Sequence, residues 1–83
     1  MDNKAAVIFR MTKRKREVDI EVPLEISANE LVNALNIAYD LGIDTVNIKN
    51  CYLKSENPIA LLKGNKLLKD FGIRNGSIIY FTR

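Results

Sequence analysis

Residues 57–81 read NPIALLKGNKLLKDFGIRNGSIIYF, and how their glycines are read decides the fold. Gly64, Gly72 and Gly76 break an otherwise apolar run, and Lys63 and Lys66 flank the first of them. A phosphate-binding P-loop needs G-x-x-x-x-G-K-[ST] between a strand and a long helix. LLKGNKLL lacks both the second glycine and the helix, and GIRNGS lacks the spacing of a dinucleotide fingerprint. The glycines therefore read as turn residues at positive φ, where a Cβ would clash. With that reading the stretch divides into a short strand (Ile59–Leu62), a turn, a single helical or 3₁₀ turn in LLKDFGI, an Asn75–Gly76 turn and a last strand (Ser77–Thr82). The β-branched and aromatic content of SIIYFT predicts a central position in a sheet.

The chain upstream supplies partners for that strand. KAAVIFRM (Lys4–Met11) is rich in Val, Ile and Phe. EVDIEV (Glu17–Val22) alternates strictly, with Val18, Ile20 and Val22 on one face and Glu17, Asp19 and Glu21 on the other. The short link TKRKR predicts a hairpin between them, and Pro23 ends the second arm. SANE (Ser27–Glu30) is a capping box opening a helix expected over Ala28 to Leu41. Its apolar stripe is expected through Leu31, Leu35, Ala38 and Leu41 or Ile37, with Ala34 beside it and Gly42 as the left-handed stop. Thr45–Ser55 is β-rich again, and Glu56–Pro58 makes a turn. The order β-β-α-β-β-β, with one helix packed across a mixed sheet, is an α+β roll of the β-grasp type. The expectation is a single domain over residues 1–83.

Composition narrows function mostly by exclusion. Histidine is absent and Cys51 is the lone cysteine, so an internal disulfide is impossible and the usual zinc ligand sets are missing. By strand parity Cys51 sides with Leu53 on the core face, as a small hydrophobe. The carboxylates show no metal-binding spacing. Same-face acids on a strand stand ~7 Å apart, so Glu17, Asp19 and Glu21 read as a solvated face. No cofactor is expected. No signal peptide is evident, and no apolar run approaches the ~18 residues of a membrane span; the expected compartment is the cytoplasm. Thirteen basic and ten acidic residues give a net charge of +3. Four of the basic residues, Lys13, Arg14, Lys15 and Arg16, form one basic tip. Such a cluster attracts phosphate, making nucleic-acid binding the alternative function, but no stacking aromatic lies beside it in sequence.

The strands also predict an interaction surface. With Val7, Phe9, Ile79, Phe81, Cys51 and Leu53 facing the helix, Ile8, Arg10, Ile78, Tyr80, Tyr52 and Lys54 face outward. In a β-grasp the first and last strands are central neighbours. These residues then form one apolar patch with a basic rim of Arg10 and Lys54, a composition suited to protein docking.

LLKGNKLLKDFGIRNGSIIYF is similar to the closing segment of ubiquitin-like folds in its turn glycine (Gly64), core leucine (Leu68), acid (Asp70), Gly72–Ile73 element, Asn75–Gly76 turn and final strand with Ile79 and Phe81. Together with VDIEVPLEISANELVNALNIAYDLGID and CYLKSENPIALLKGNKLL, the chain over roughly residues 5 to 82 resembles the YukD/EsaB family. These are small bacterial ubiquitin-like proteins encoded with type VII (WXG100, or Esx) secretion systems. The resemblance implies a cytosolic, non-enzymatic accessory or regulatory protein that acts through protein partners. The implied partners are components of the secretion apparatus, a membrane-bound ATPase or another membrane component, with recruitment to the inner face of the membrane. It transfers no active-site residues. Conjugating and sulfur-carrying relatives of the fold act through a C-terminal Gly-Gly, whereas this chain ends IIYFTR; neither conjugation nor sulfur transfer is expected.

Overall fold

A computed structural model describes residues 3–47 and 50–82. It contains β1 (Lys4–Met11), β2 (Arg16–Pro23), α1 (Ala28–Tyr39), β3 (Leu53–Glu56), β4 (Ala60–Leu62), a 3₁₀ turn (Leu68–Phe71) and β5 (Ile78–Phe81). The strands form one sheet in the order β2-β1-β5-β3-β4. β1 and β5 run parallel at its centre, and the other pairs are antiparallel. Parallel neighbours need a long crossover, and here everything from β2 through α1, β3, β4 and the 3₁₀ turn supplies it. This is the expected β-grasp, with the predicted strand at its centre.

The core lies between α1 and the inner face of the sheet. Phe9, Leu53, Leu62, Leu68 and Ile79 are almost wholly buried, joined by Val7 from β1 and Leu31, Val32 and Leu35 from α1. Alternation along β1 and β5 sends every second residue inward. The Phe9 ring meets Tyr39 with centroids 5.2 Å apart. Cys51 and Leu53 are both buried, as strand parity predicts, and the Cys51 thiol donates toward the carbonyls of Asp44 and Asn47.

Both ends of α1 are closed by groups outside it. At the N-terminus the capping box is complete: the Glu30 amide donates to Ser27 Oγ and the Ser27 amide donates to Glu30 Oε1, each at 3.1 Å. The next two amides, of Ala28 and Asn29, donate to the carbonyls of Lys66 and Gly64 at 3.0 Å. The turn that resembled a phosphate cradle therefore presents its own carbonyl oxygens to the helix N-terminus. Those oxygens satisfy amides that a bound anion would need.

The helix stops earlier than its sequence predicts. Asp40 takes the capping position (φ 51°) ahead of Gly42, which is left-handed as expected (φ 73°), and the Asp40 amide donates to the Asn36 carbonyl. The Asn36 side chain secures the exit by exchanging two hydrogen bonds with the Ile43 backbone. Leu31, Leu35 and Leu41 are buried as expected, but the stripe on the helix itself differs in part. It runs through Ala28, Leu31, Val32 and Leu35 to the half-buried Tyr39. Ala34 and Ala38 are exposed, and Ile37 is 82% exposed. A 12-residue helix lying across a twisted sheet turns only one narrow face to it, and the aromatic ring of Tyr39 takes the place expected of Ala38.

Two strand boundaries are corrected as well. Pairing in β3 begins only at Leu53. Of the segment expected to be extended from Thr45, Thr45–Asn47 is turn and bend, and Ile48 and Lys49 lie outside the described residues. β4 begins at Ala60, leaving Ile59 in the preceding turn. The 3₁₀ turn closes on Gly72 at φ 86°. A Cβ at Gly72 would also stand 3.3 Å from Pro58 Cγ, so conformation and space both favour glycine there.

Candidate functional site

The outer face of the sheet gathers the residues whose parity sends them away from the helix. Register places them in two rows across the strands. One row runs Glu17, Arg10, Tyr80, Lys54 and Leu61; the next runs Asp19, Ile8, Ile78 and Glu56. Five of the six expected patch residues, Ile8, Arg10, Lys54, Ile78 and Tyr80, thus share one surface. Ile8, Arg10, Ile78 and Tyr80 are half-buried and Lys54 is exposed. Tyr52 is half-buried but precedes the first paired residue of β3, so sheet register does not fix it in either row.

Polar contacts hold the centre of this face. Arg10 Nε donates to Glu17 Oε2, its opposite number on β2. Arg10 Nη1 donates to Tyr80 Oη at 3.3 Å, and the guanidinium carbon stands 5.3 Å from the Tyr80 ring centroid. The Tyr80 hydroxyl in turn donates to Glu56, which is the main cause holding its pKa above the ordinary tyrosine value. Glu17, chiefly through its hydrogen bond, raises the Arg10 pKa. A line of carboxylate, guanidinium, phenol and carboxylate therefore crosses three strands and Glu56 of a fourth. The expected basic rim is corrected by this arrangement. Arg10 is paired, and Glu17, Asp19 and Glu56 join Lys54 around the apolar centre, so the rim carries both signs.

Beyond Tyr80 the face continues into a shallow groove over β3 and β4, lined by Lys54, Glu56, Ile59, Leu61, Tyr80 and Thr82. Ile59 is 88% and Leu61 43% exposed. The sequence reading did not include Ile59, Leu61 or Glu56. Its usable signal was the parity of IALL: with Leu62 buried, Leu61 must face out. Ile59 has no such signal because it falls in a turn.

The basic tip proves to be two pairs with different surroundings. Arg14 donates from both terminal nitrogens to the carbonyls of Tyr39 and Asp40, each at 2.6 Å. These are orphan carbonyls at the C-terminus of α1, where a cation also complements the helix dipole. The Arg16 guanidinium lies 5.8 Å from the Tyr39 ring centroid. Lys13 and Lys15 remain exposed on the turn. Nothing in the local sequence announces the Arg14 contact, because its partners lie 25 and 26 residues away. Among the described residues, no cluster of three or more potential metal-ligating side chains occurs, and no helix is long and apolar enough to cross a membrane.

A model of the family described as "WXG100 protein secretion system (Wss), protein YukD" matches residues 7–81. The chain belongs to the YukD family. No curated protein matches it. Among solved structures, this YukD-family chain is similar to a ubiquitin-like domain from tubulin-binding cofactor B, with TM-score 0.73, 20% identity, and coverage of 96% of this chain and 89% of that one. It is also similar to the C-terminal ubiquitin-like domain of mouse tubulin-specific chaperone e, with TM-score 0.69, 10% identity and coverage of 95% and 84%. The UBL domain of Plasmodium falciparum Dsk2 gives TM-score 0.61, 16% identity and coverage of 93% and 96%. At these identities the likeness establishes the ubiquitin-like fold. Membership of the YukD family links the chain to the WXG100, or type VII, secretion system as a ubiquitin-like accessory protein.

Proposed function

We propose that this YukD-family protein serves its secretion system as a non-catalytic docking module. The outer sheet face binds a protein component of the apparatus, a membrane-bound ATPase or another membrane component. The protein works from the cytoplasm and reaches the inner face of the membrane through that contact. Binding is non-covalent, without conjugation. The observation that carries this reading is the row geometry: Ile8, Ile78 and Tyr80 lie side by side on the two central strands, ringed by charges of both signs. Tyrosine at the centre of such a patch, already oriented by Arg10 and Glu56, contributes contact area at low entropic cost.

Site-specific photo-crosslinking in the native host tests this reading. A benzophenone amino acid at position 80 is expected to trap a secretion component, and the same probe at position 37, on the exposed side of α1, is not. Equal trapping from both positions, or trapping from 37 alone, would overturn the assignment of the face. For the non-covalent part, a tagged chain run on a denaturing gel without crosslinking should migrate as a single species of its own mass. A ladder of larger adducts would contradict it.

A further inference from the structure

The registers bring basic residues from separate parts of the chain to one end of the sheet. β1 and β5 are parallel, so their C-terminal ends lie together, and Met11 is opposite Phe81. β3 is antiparallel to β5, which brings its N-terminal end alongside, with Leu53 opposite Leu62 of β4. The turn bearing Lys13 and Lys15 projects from this end. Lys54 occupies the row before it, and Lys63 follows Leu62 directly. Arg14 and Arg16 add their charge from the hairpin. Of the acids near this end, Glu17 is paired with Arg10, Asp44 shares a surface hollow with Phe81 and accepts from the Val46 amide, and Asp40 lies on the helix side, where Arg14 binds its carbonyl.

The turn is held firmly. The Thr12 amide donates to the Phe81 carbonyl and the Lys15 amide to the Thr12 carbonyl, at 3.0 and 3.2 Å, and Arg14 ties the tip to α1. Lys13 and Lys15 are thus presented from a fixed platform. The forked guanidinium, which recognises single phosphates bidentately, is occupied within the molecule at Arg14, and at Arg16 it lies against the Tyr39 ring. What faces outward is mainly lysine point charge on long stems, and the Tyr39 ring beside the tip is engaged by Phe9 and Arg16. Diffuse charge carried mainly by lysines, with the aromatic of the tip already engaged, matches an extended anionic surface better than a nucleic-acid strand.

We propose that the hairpin end of the sheet, through Lys13 and Lys15, binds the anionic headgroups of a lipid bilayer. This contact goes beyond the protein-docking reading and uses different residues in its test, so either can fail alone. The test is sedimentation of the whole protein with phosphatidylcholine vesicles, with and without phosphatidylglycerol. Binding is expected only to the anionic vesicles, and added salt should reverse it. Lys13→Gln with Lys15→Asn, where Asn keeps the left-handed turn position of Lys15 (φ 51°), is expected to weaken binding roughly thirtyfold, from the usual contribution of each lysine near a charged membrane. Lys4→Gln with Lys66→Gln removes the same charge far from the tip and should leave most of the binding intact. Thermal melts establish that both variants are folded. Absence of wild-type binding to anionic vesicles, or an equal loss in both double variants, overturns the proposal. Retention on single-stranded RNA at salt that releases the vesicles would overturn it in favour of nucleic acid.

Discussion

The two faces of β1 and β5 are built from similar residues and meet different surroundings. Inward, Val7, Phe9, Ile79 and Phe81 close the core against α1. Outward, Ile8, Ile78 and Tyr80 lie only half-buried between charged neighbours. Residues adjacent in sequence therefore differ in what they support. The inner set maintains the fold, and the outer set is available for recognition. The lesson is that apolar content alone does not identify the core of a five-stranded sheet with one helix, because the helix covers only one side.

The strongest way to break this comparison is to truncate one residue from each face. Ile79→Ala removes a fully buried side chain from the central strand and is expected to cost roughly 2–5 kcal/mol in chemical denaturation. That is a large part of the stability of a domain this size. Its neighbour Ile78→Ala should cost under about 1 kcal/mol, the scale of a cross-strand pair. Similar losses at both positions would erase the distinction between the faces.

An intermediate effect is expected where the hairpin meets the helix. Arg14→Ala unties the C-terminal carbonyls of α1 and should cost about 1 kcal/mol. Arg14→Lys should recover little of this, since one ammonium cannot reproduce the two-pronged contact. Ser27→Ala, at the opposite end of the helix, should cost ~1 kcal/mol through the lost cap. Full recovery by Arg14→Lys would reduce the contact to simple charge.

The smallest effect concerns the polar line across the outer face. Tyr80 should titrate above the ordinary tyrosine value of about 10 when followed by ultraviolet difference absorbance. The folded state holds the phenolic proton more tightly than the unfolded chain. The associated stability is therefore complete at neutral pH and is lost as pH rises through the raised value. Glu56→Gln should lower the midpoint by removing the principal cause, and Arg10→Gln should raise it further, because Arg10 favours the phenolate. Shifts of the same sign in both variants would contradict the described arrangement.

Local signals made much of this architecture legible in the sequence. Strict alternation identified both faces of Glu17–Val22, SANE identified the start of the helix, and Asn75–Gly76 with SIIYFT identified the central strand. Parity then placed Ile8, Arg10, Lys54, Ile78 and Tyr80 together correctly. The failures share a physical cause, since each depended on a contact outside the element that carried the signal. Ile37 and Val32 have comparable apolar character, and only the angle of the helix on the sheet decides which is buried. Gly42 is the better local stop signal, yet Asp40 takes the cap because Asn36 and Arg14 secure the exit there. The sign of the rim changed because Arg10 meets Glu17 across the hairpin, and the KRKR cluster divided because the helix C-terminus lies within reach of Arg14.

The central claim is that the outer face, centred on Tyr80, recognises a protein of the secretion apparatus. Its most direct test is quantitative capture of a secretion component from extract of the native host by wild type, Tyr80→Ala and Ile37→Ala, each first matched for thermal stability. The expected result is that Tyr80→Ala loses at least tenfold in capture, corresponding to the ~1.4 kcal/mol or more typical of a central interface tyrosine, while Ile37→Ala binds like wild type. Undiminished capture by a folded Tyr80→Ala protein, with loss in Ile37→Ala, would place recognition on the helix side and contradict the account.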